Sequence, residues 1–589
     1  FLLLLVALGA NAQVDVDIDL GTIRGQEITL DDGKVVVSFK GIPFAKPPIG
    51  PLRFAPPEKA DPWGDVFIAD TLGNQCPQNP SGLLWMTHPG WDKYDEDCLN
   101  LNVFAPQNMN PDTPYPVMVW FHGGGYGGGG NIQYPGHFLA SHDVVVVVPN
   151  YRLSAFGYLS TPDHYVQGNA GMRDQVLALE FIRDNIAAFG GDPNQVTAFG
   201  QSAGGASTSL HLVSPMSQGL VHQGICESGA DTNFWTLNWP QQSPDDYVYQ
   251  TAERNGCTNE TSEAMISCLR DVPWEEFDRG IICHRGFYCM GYIPTVDGPG
   301  GFLPEDPETI RNSGNFVQGN IITGICRDDG ALYTQALIPE AEDGITREQF
   351  LRYLETRLLI IWRYQLTEQQ IEDALAALDF YYSPWPHIHD EHANVDAFNR
   401  MITDAAFGMA MDRQAKWQQE VADTYVYIQG YRSPNATDLY PEWMGAPHNC
   451  EVPYVWGYPR LLHNEAVRED SEIVWDIIGW IDPVDVDFTN YFQTMWTNFA
   501  KFGDPTPEPV ESPEGNGPTS WLRFDTVDYN YLETDWDIEL KQEYRQRDLT
   551  FWSNYLSNIV EKPIRFADGV LDDSMPKTTW SSAAVDEKN

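Results

Sequence analysis

A chain of 589 residues, 42% hydrophobic and 13% aromatic, carries enough apolar material for a large folded core and lies far from a disordered composition. Its 83 acidic against 35 basic side chains give a formal charge of −48, spread along the whole length. A surface that negative repels nucleic acid and anionic membranes, and it admits neutral or cationic small molecules more readily than anionic ones.

In chain order, Leu2 to Leu8 is a short apolar run followed by Ala10-Asn11-Ala12. That is the pattern of a secretory signal peptide, incomplete at its N-terminus, and it assigns residues 1–12 to a cleaved leader. Val14 to Phe39 alternates apolar and polar residues around a turn at Asp31-Asp32-Gly33, which predicts a small N-terminal antiparallel sheet. Leu101–Phe104, Pro116–Phe121 and Asp143–Val148 read as buried strands, the last containing five consecutive valines. Unbroken β-branched runs suit central strands covered on both faces. A helix is expected from Met172 to Ala188, ended by Gly190-Gly191, and then a strand at Val196–Phe199. Further strands are expected at Gly224–Glu227, Asn320–Cys326 and Asp423–Gln429. Helical patterns occupy Arg347–Leu358, Asp396–Val421, Val486–Phe502 and Arg547–Ile559. Strands alternating with helices predict an α/β fold with a large, mostly parallel central sheet covered by helices on both faces. No linker or repeat divides the chain, so residues 13–565 are expected to form one catalytic domain, with 566–589 a polar acidic tail. No run after the leader is long enough to span a membrane.

Nine cysteines fit an oxidising compartment, and the odd count leaves at least one unpaired. Cys76 with Cys98 and Cys257 with Cys268 are the expected disulfides, each closing a loop in turn-rich sequence. Cys226 and Cys326 lie in apolar strand-like runs and read as buried free thiols. The pairing of Cys283, Cys289 and Cys450 stays open. Asn259-Glu260-Thr261 and Asn435-Ala436-Thr437 are glycosylation acceptors, which agrees with secretion to the extracellular space.

The chemistry centres on Gly200-Gln201-Ser202-Ala203-Gly204, entered by an apolar strand and left by helix formers. In that context G-x-S-x-G is a nucleophile elbow, with glycines where a tight turn has no room for side chains. An elbow serine needs donors for an oxyanion, a base and an acid that orients the base. Trp120-Phe121-His122-Gly123-Gly124-Gly125-Tyr126 supplies bare amides after a strand, so Gly124, Gly125 and the amide of Ala203 are the candidate oxyanion hole.

These motifs come with others in a fixed order. Phe39-Lys40-Gly41-Ile42-Pro43-Phe44-Ala45, Glu96-Asp97-Cys98-Leu99-Asn100-Leu101-Asn102, Asn312-Ser313-Gly314-Asn315-Phe316 and Trp496-Thr497-Asn498-Phe499-Ala500-Lys501-Phe502-Gly503 make the chain resemble the type-B carboxylesterase and cholinesterase family. The likeness runs from about Val16 to Val560 and implies the α/β-hydrolase fold. It places the acid at Asp329 in Arg327-Asp328-Asp329-Gly330, where most relatives carry glutamate, with Asp328 as the competitor. It places the base at His448 in Gly445-Ala446-Pro447-His448-Asn449-Cys450-Glu451. The implied activity is a secreted serine carboxylesterase that hydrolyses small neutral esters through an acyl-enzyme, with no metal or organic cofactor. His387, His389, Asp390 and His392 superficially resemble a metal site, but they precede a helix and read as cap or surface residues.

Substrate features follow from the same resemblance. Cholinesterases have glutamate where this chain has Gln201, and an aromatic where it has Leu332, so choline selectivity lacks its cation–π support. Trp85 and Trp91 both stand as candidates for the choline-site tryptophan. Tyr288 and Met290 are expected to line the acyl side of the pocket. Gly-Gln-Ser-Ala-Gly, with Arg53-Phe54 and Asp174-Gln175, is similar to arthropod juvenile hormone esterases, which cleave sesquiterpenoid methyl esters. A digestive lipase-like esterase and a non-catalytic cholinesterase-like adhesion protein are the other readings. The oligomeric state is left open.

Overall fold

The alternating apolar runs assemble into one twisted sheet. The computed structural model describes residues 12–560 except 79–87, 89, 238–243, 259–260, 278–291, 362–365, 436–439, 474–484 and 514–516. The leader and the tail beyond 560 therefore lie outside the described residues. The strands are β1 (Gln13–Ile18), β2 (Gly21–Thr29), β3 (Val35–Pro43), β4 (Phe67–Ile68), β5 (Asn100–Pro106), β6 (Tyr115–Phe121), β7 (Val145–Pro149) and β8 (Gly191–Gln201). They continue with β9 (Gln223–Glu227), β10 (Ile321–Cys326), β11 (Thr424–Gln429), β12 (Val510–Glu511), β13 (Pro518–Thr519), β14 (Asn530–Thr534) and β15 (Ile538–Gln542).

The main sheet runs β1-β2-β3-β5-β7-β6-β8-β9-β10-β11-β14-β15, with β4 beside β2; β12 and β13 pair separately. From β7 through β6, β8, β9, β10 and β11 to β14 every neighbour is parallel. Antiparallel pairs close both edges, and the N-terminal strands join the large sheet through β3 and β5.

The valine run shows why the centre is dry on both sides. A strand sends successive side chains to opposite faces. Val145 and Val147 pack into one core, whereas Val144, Val146 and Val148 pack into another, and all five are buried. β6 divides the same way, Val117, Val119 and Phe121 against Met118 and Trp120. The first face is covered by Met172, Val176, Leu179 and Ile182 of the helix Ala170–Asn185 and by Leu210 and Val213 of the helix Ala203–Val213. The second is covered by Phe488, Phe492, Met495, Trp496 and Phe499 of the helix Asp485–Phe502. Burying each such large side chain is worth about 1.5–3 kcal/mol, which is what makes helices on both faces the stable solution.

A third core gathers the helices Arg347–Ile361, Glu368–Tyr382 and Glu391–Thr403 around Phe350, Leu378, Phe398 and Trp552. The helix expected over 396–421 is interrupted: Glu391–Thr403 passes into a π turn at Asp404–Gly408 before Met409–Gln418. Inside the turn the buried Asp404 carboxylate accepts from the Tyr382 hydroxyl at 2.8 Å and from Arg545 at 2.6 Å. These cross-chain bonds hold the wider turn, and no helical periodicity encodes them.

Two disulfides, Cys76–Cys98 and Cys257–Cys268, join the expected pairs. Among the described residues Cys226, Cys326 and Cys450 are buried free thiols, and no helix is long and apolar enough to cross a membrane.

Candidate active site

Parallel strands end at the same side of the sheet, and that side collects the polar residues. β8 ends at Gln201, and the chain turns through Ser202 into the helix Ala203–Val213. Ser202 has φ 58° and ψ −123°, a conformation that costs of order 1–3 kcal/mol and must be held by its surroundings. Its N–H donates to Glu227 O at 2.8 Å, and its carbonyl accepts from Ala206 N–H at 2.9 Å. Gly204 is obligatory in this turn, because a Cβ there would lie 1.8 Å from Phe121 O. The serine is thus presented at the end of β8 with its side chain nearly buried.

The acid and the base arrive from the next two strands. After β10, Asp329 is fully buried, and its Oδ2 accepts from the Cys326 N–H at 3.0 Å and the Ser228 hydroxyl at 2.9 Å. Its Oδ1 accepts from His448 Nδ1 at 2.6 Å. That bond leaves the proton on Nδ1 and the lone pair on Nε2, the tautomer a general base requires. Phe407, delivered by the π turn, and Tyr333 flank the imidazole at 4.8 and 5.5 Å between ring centres.

Asp328, the competing acid, faces elsewhere. Its N–H donates to Ala446 O and its Oδ2 accepts from Ala446 N–H, both at 3.0 Å. Asp328 therefore pins the histidine loop to the acid loop, which brings a side chain as short as aspartate within reach of the imidazole. The glycine of the histidine motif serves the same junction: Gly445 has φ 61°, and a Cβ there would lie 2.2 Å from Asp328 Oδ2.

Gln201 brings the serine and histidine elements together. Its Nε2 lies 3.3 Å from His448 Nε2, so the amide N–H donates to the imidazole lone pair. A Cβ on Gly123 would meet Gln201 Oε1 at 3.0 Å and Ser202 Cβ at 3.2 Å, so elbow, imidazole and glycine loop converge on one point. The amides of Gly124 and Gly125 in that loop, and of Ala203 at the start of the helix after the elbow, have no acceptor among the described residues. The loop is braced by His122, whose Nδ1 bonds Gly123 O at 2.9 Å and whose ring stacks on Tyr151 at 4.3 Å. Burial pushes the His122 imidazole down to about 4, so it stays neutral there.

Beneath these residues sit two buried carboxyls that the sequence reading did not single out. Glu227 Oε1 accepts from Trp496 Nε1 at 2.7 Å, and Glu451 Oε2 accepts from the Cys326 thiol at 2.8 Å. Their other oxygens have no partner among the described residues. Burial, and then the Asp329 carboxylate, push Glu451 up to about 7; burial and Glu451 raise Glu227 well above the usual carboxylate range. Glu451 was visible as the last residue of the histidine motif, whereas nothing in the sequence marked Glu227, Tyr333 or Phe407 as neighbours.

The remaining candidates are placed unevenly. Leu332 packs beside Ala331, Tyr440 and Met444, while its neighbour Tyr333 turns to the imidazole. Trp91 has the Lys93 ammonium 4.9 Å over its own ring. Asp390 caps the helix Glu391–Thr403, accepting from the His392 and Ala393 amides at 3.1 Å, while His387 and His389 are exposed. Asn435 is exposed. Tyr288, Met290, Trp85, Cys283, Cys289 and Asn259 lie outside the described residues.

Comparison with known proteins identifies the family. Residues 12–552 match the model of the carboxylesterase family. The chain is 33% identical over 554 residues to the pyrethroid hydrolase Ces2e of Rattus norvegicus, covering 92% of this chain and 90% of the relative. It is 29% identical over 570 residues to the medium-chain fatty acyl-CoA hydrolase precursor of Anas platyrhynchos, covering 94% and 95%. It is also 29% identical over 589 residues to human neuroligin-2, covering 93% of this chain and 68% of that one. An elbow at the end of a parallel strand, a family match over nearly the whole chain and hydrolases among its relatives converge: the chain belongs to the carboxylesterase family and is a carboxylic ester hydrolase of the α/β-hydrolase fold.

Proposed function

We propose that this is a secreted serine carboxylesterase in which Ser202 is the nucleophile, His448 the general base and Asp329 the acid that orients it. The observation that carries the reading is the 2.6 Å bond from His448 Nδ1 to the buried Asp329, formed beside the Ser202 elbow. As substrate enters, the Ser202 hydroxyl replaces the Gln201 amide at His448 Nε2 and gives up its proton there while Oγ attacks the ester carbonyl. The imidazolium that results faces Asp329, and the oxyanion is held by the amides of Gly124, Gly125 and Ala203. The imidazolium then protonates the departing alcohol. Water, deprotonated by the same Nε2, hydrolyses the acyl-enzyme.

The two disulfides and the absence of a membrane-length helix among the described residues support secretion, with glycans at Asn259 and Asn435. The uncharged Gln201 beside the base, under a surface of charge −48, supports small neutral esters as substrates. The hydrolases among the relatives are named for pyrethroids and for medium-chain fatty acyl-CoA. The narrower sesquiterpenoid methyl-ester reading rests on Gly200-Gln201-Ser202-Ala203-Gly204 together with Arg53-Phe54 and Asp174-Gln175, and it requires kcat/KM for such esters to exceed that for short p-nitrophenyl esters; a lipase-like enzyme instead requires faster turnover of micellar than of monomeric substrate.

Ser202→Ala tests the central assignment. Hydrolysis of p-nitrophenyl esters is expected to fall by about 10⁶ in kcat, as when a nucleophile is removed from a serine hydrolase. Full activity in that variant disproves the assignment. A wild-type protein with no esterase activity at all favours the non-catalytic role that the likeness to neuroligin-2 leaves open.

A further inference from the structure

Three buried cysteines remain free among the described residues, and two of them lie against each other where the Asp329 and His448 loops meet. Cys326 Sγ and Cys450 Sγ are 3.4 Å apart, so closing to the bond length of about 2.05 Å requires an approach of about 1.3 Å. Cys226, by contrast, has the Gln414 amide at 3.4 Å as its neighbour. The backbones that carry the close pair are already fixed together by the two bonds between Asp328 and Ala446. Cys326 is the residue whose N–H holds Asp329 Oδ2, and Cys450 lies two residues beyond His448.

We propose that Cys326 and Cys450 are an oxidisable pair, and that their disulfide clamps the loop bearing Asp329 to the loop bearing His448. The bond itself does not depend on the catalytic reading above; its effect on activity does. With a low-molecular-weight disulfide such as glutathione disulfide as the oxidant, the thiolate of the less enclosed Cys450 displaces one thiol from the reagent. Cys326 then displaces the second. Two protein S–H bonds and the reagent S–S bond break, one Cys326–Cys450 bond and two reagent S–H bonds form, and two electrons pass to the reagent. The chain carries disulfides elsewhere, at Cys76–Cys98 and Cys257–Cys268.

Ligand number decides between this and a metal ion. Cys326, Cys450 and Glu451 present three ligand atoms within 4.8 Å of one another. Among the described residues that is one short of the four ligands that close a structural Zn²⁺ site, whereas a disulfide needs only the two sulfur atoms already 3.4 Å apart.

The test uses the full chain from a secretory host and the same protein treated with glutathione disulfide. After trapping of free thiols under denaturing conditions, a non-reducing peptide map is expected to contain a linked Cys326–Cys450 peptide, about 2 Da lighter than the two free peptides together. Oxidised protein is expected to keep its esterase activity at elevated temperature with a half-life at least about threefold longer than the thiol form. Cys450→Ala and Cys450→Ser are each expected to lose that oxidation-dependent gain. Both cysteines recovered singly alkylated after oxidant treatment overturns the proposal, as does one Zn²⁺ retained per chain that protects both from alkylation. A linked peptide with an unchanged half-life overturns the clamp. Failure of the catalytic reading would show instead as an active Ser202→Ala variant, which leaves the peptide map unaffected.

Discussion

At the scale of single residues, the hydrogen bond between His448 and Asp329 sets what the imidazole can do. Asp329→Asn keeps the shape of the side chain but no longer requires the proton on Nδ1. It is expected to lower kcat by about 10⁴ while KM for p-nitrophenyl esters changes little, measurable by steady-state kinetics. Gln201 adds a second control, because its amide touches the opposite nitrogen. In Gln201→Glu a carboxylate faces the imidazolium and stabilises it. The neutral base is then populated only at higher pH, and the acid limb of the kcat/KM profile is expected to move upward by about one unit. Glu451 bears on stability. Its carboxyl is raised to about 7 in the folded chain against about 4.3 in an unfolded one, so between those values the native state binds more protons than the unfolded state. Stability contributed by this group is present below the lower value and is lost as pH rises through the upper one. Glu451→Gln, always neutral, is expected to raise Tm over wild type at pH 8 and by less at pH 5, read by thermal scans at the two pH values.

At the scale of elements, the site depends on supports that lie behind it. Arg152, just beyond β7, is held by Asp174 of the helix Ala170–Asn185 through two side-chain bonds of 2.7 and 2.8 Å, and both residues are buried. The same carboxylate accepts the Arg152 N–H at 2.9 Å. Asp174→Ala strands a buried guanidinium and is expected to cost about 3–5 kcal/mol in urea unfolding. This is also the scale at which the sequence was most and least informative. The elbow could be read directly, because Gly200 and Gly204 flank a serine between an apolar strand and a helix. The histidine motif was legible only through the family resemblance; the structure supplies the reason for its glycine, since Gly445 is demanded by the left-handed turn against Asp328. The π turn at Asp404–Gly408 was not legible, because it is fixed by Tyr382 and Arg545, residues distant along the chain. Its consequence, Phe407 against the imidazole, was hidden with it. β14 and β15 were missed for a different cause. Asn530–Thr534 and Ile538–Gln542 are short and rich in polar residues, and they become strands only by extending an edge that already exists.

At the scale of the molecule, one sheet gathers residues spread from 123 to 448, because its parallel strands all end on one side. The order of those strands could not be read from the chain, since every buried apolar run looks alike until its neighbours are known. The charge of −48 acts at this scale too. Raising ionic strength from low salt to about 0.15 M shortens the screening length to about 8 Å. It is therefore expected to raise kcat/KM for an anionic ester, lower it for a cationic one and leave a neutral ester nearly unchanged.

The most direct measurement is labelling with an organophosphonate, followed by intact mass and peptide mapping. One adduct per chain on Ser202, appearing in proportion to loss of esterase activity, is the predicted result. Complete inactivation with the adduct on another residue, and Ser202 unmodified, would contradict the account.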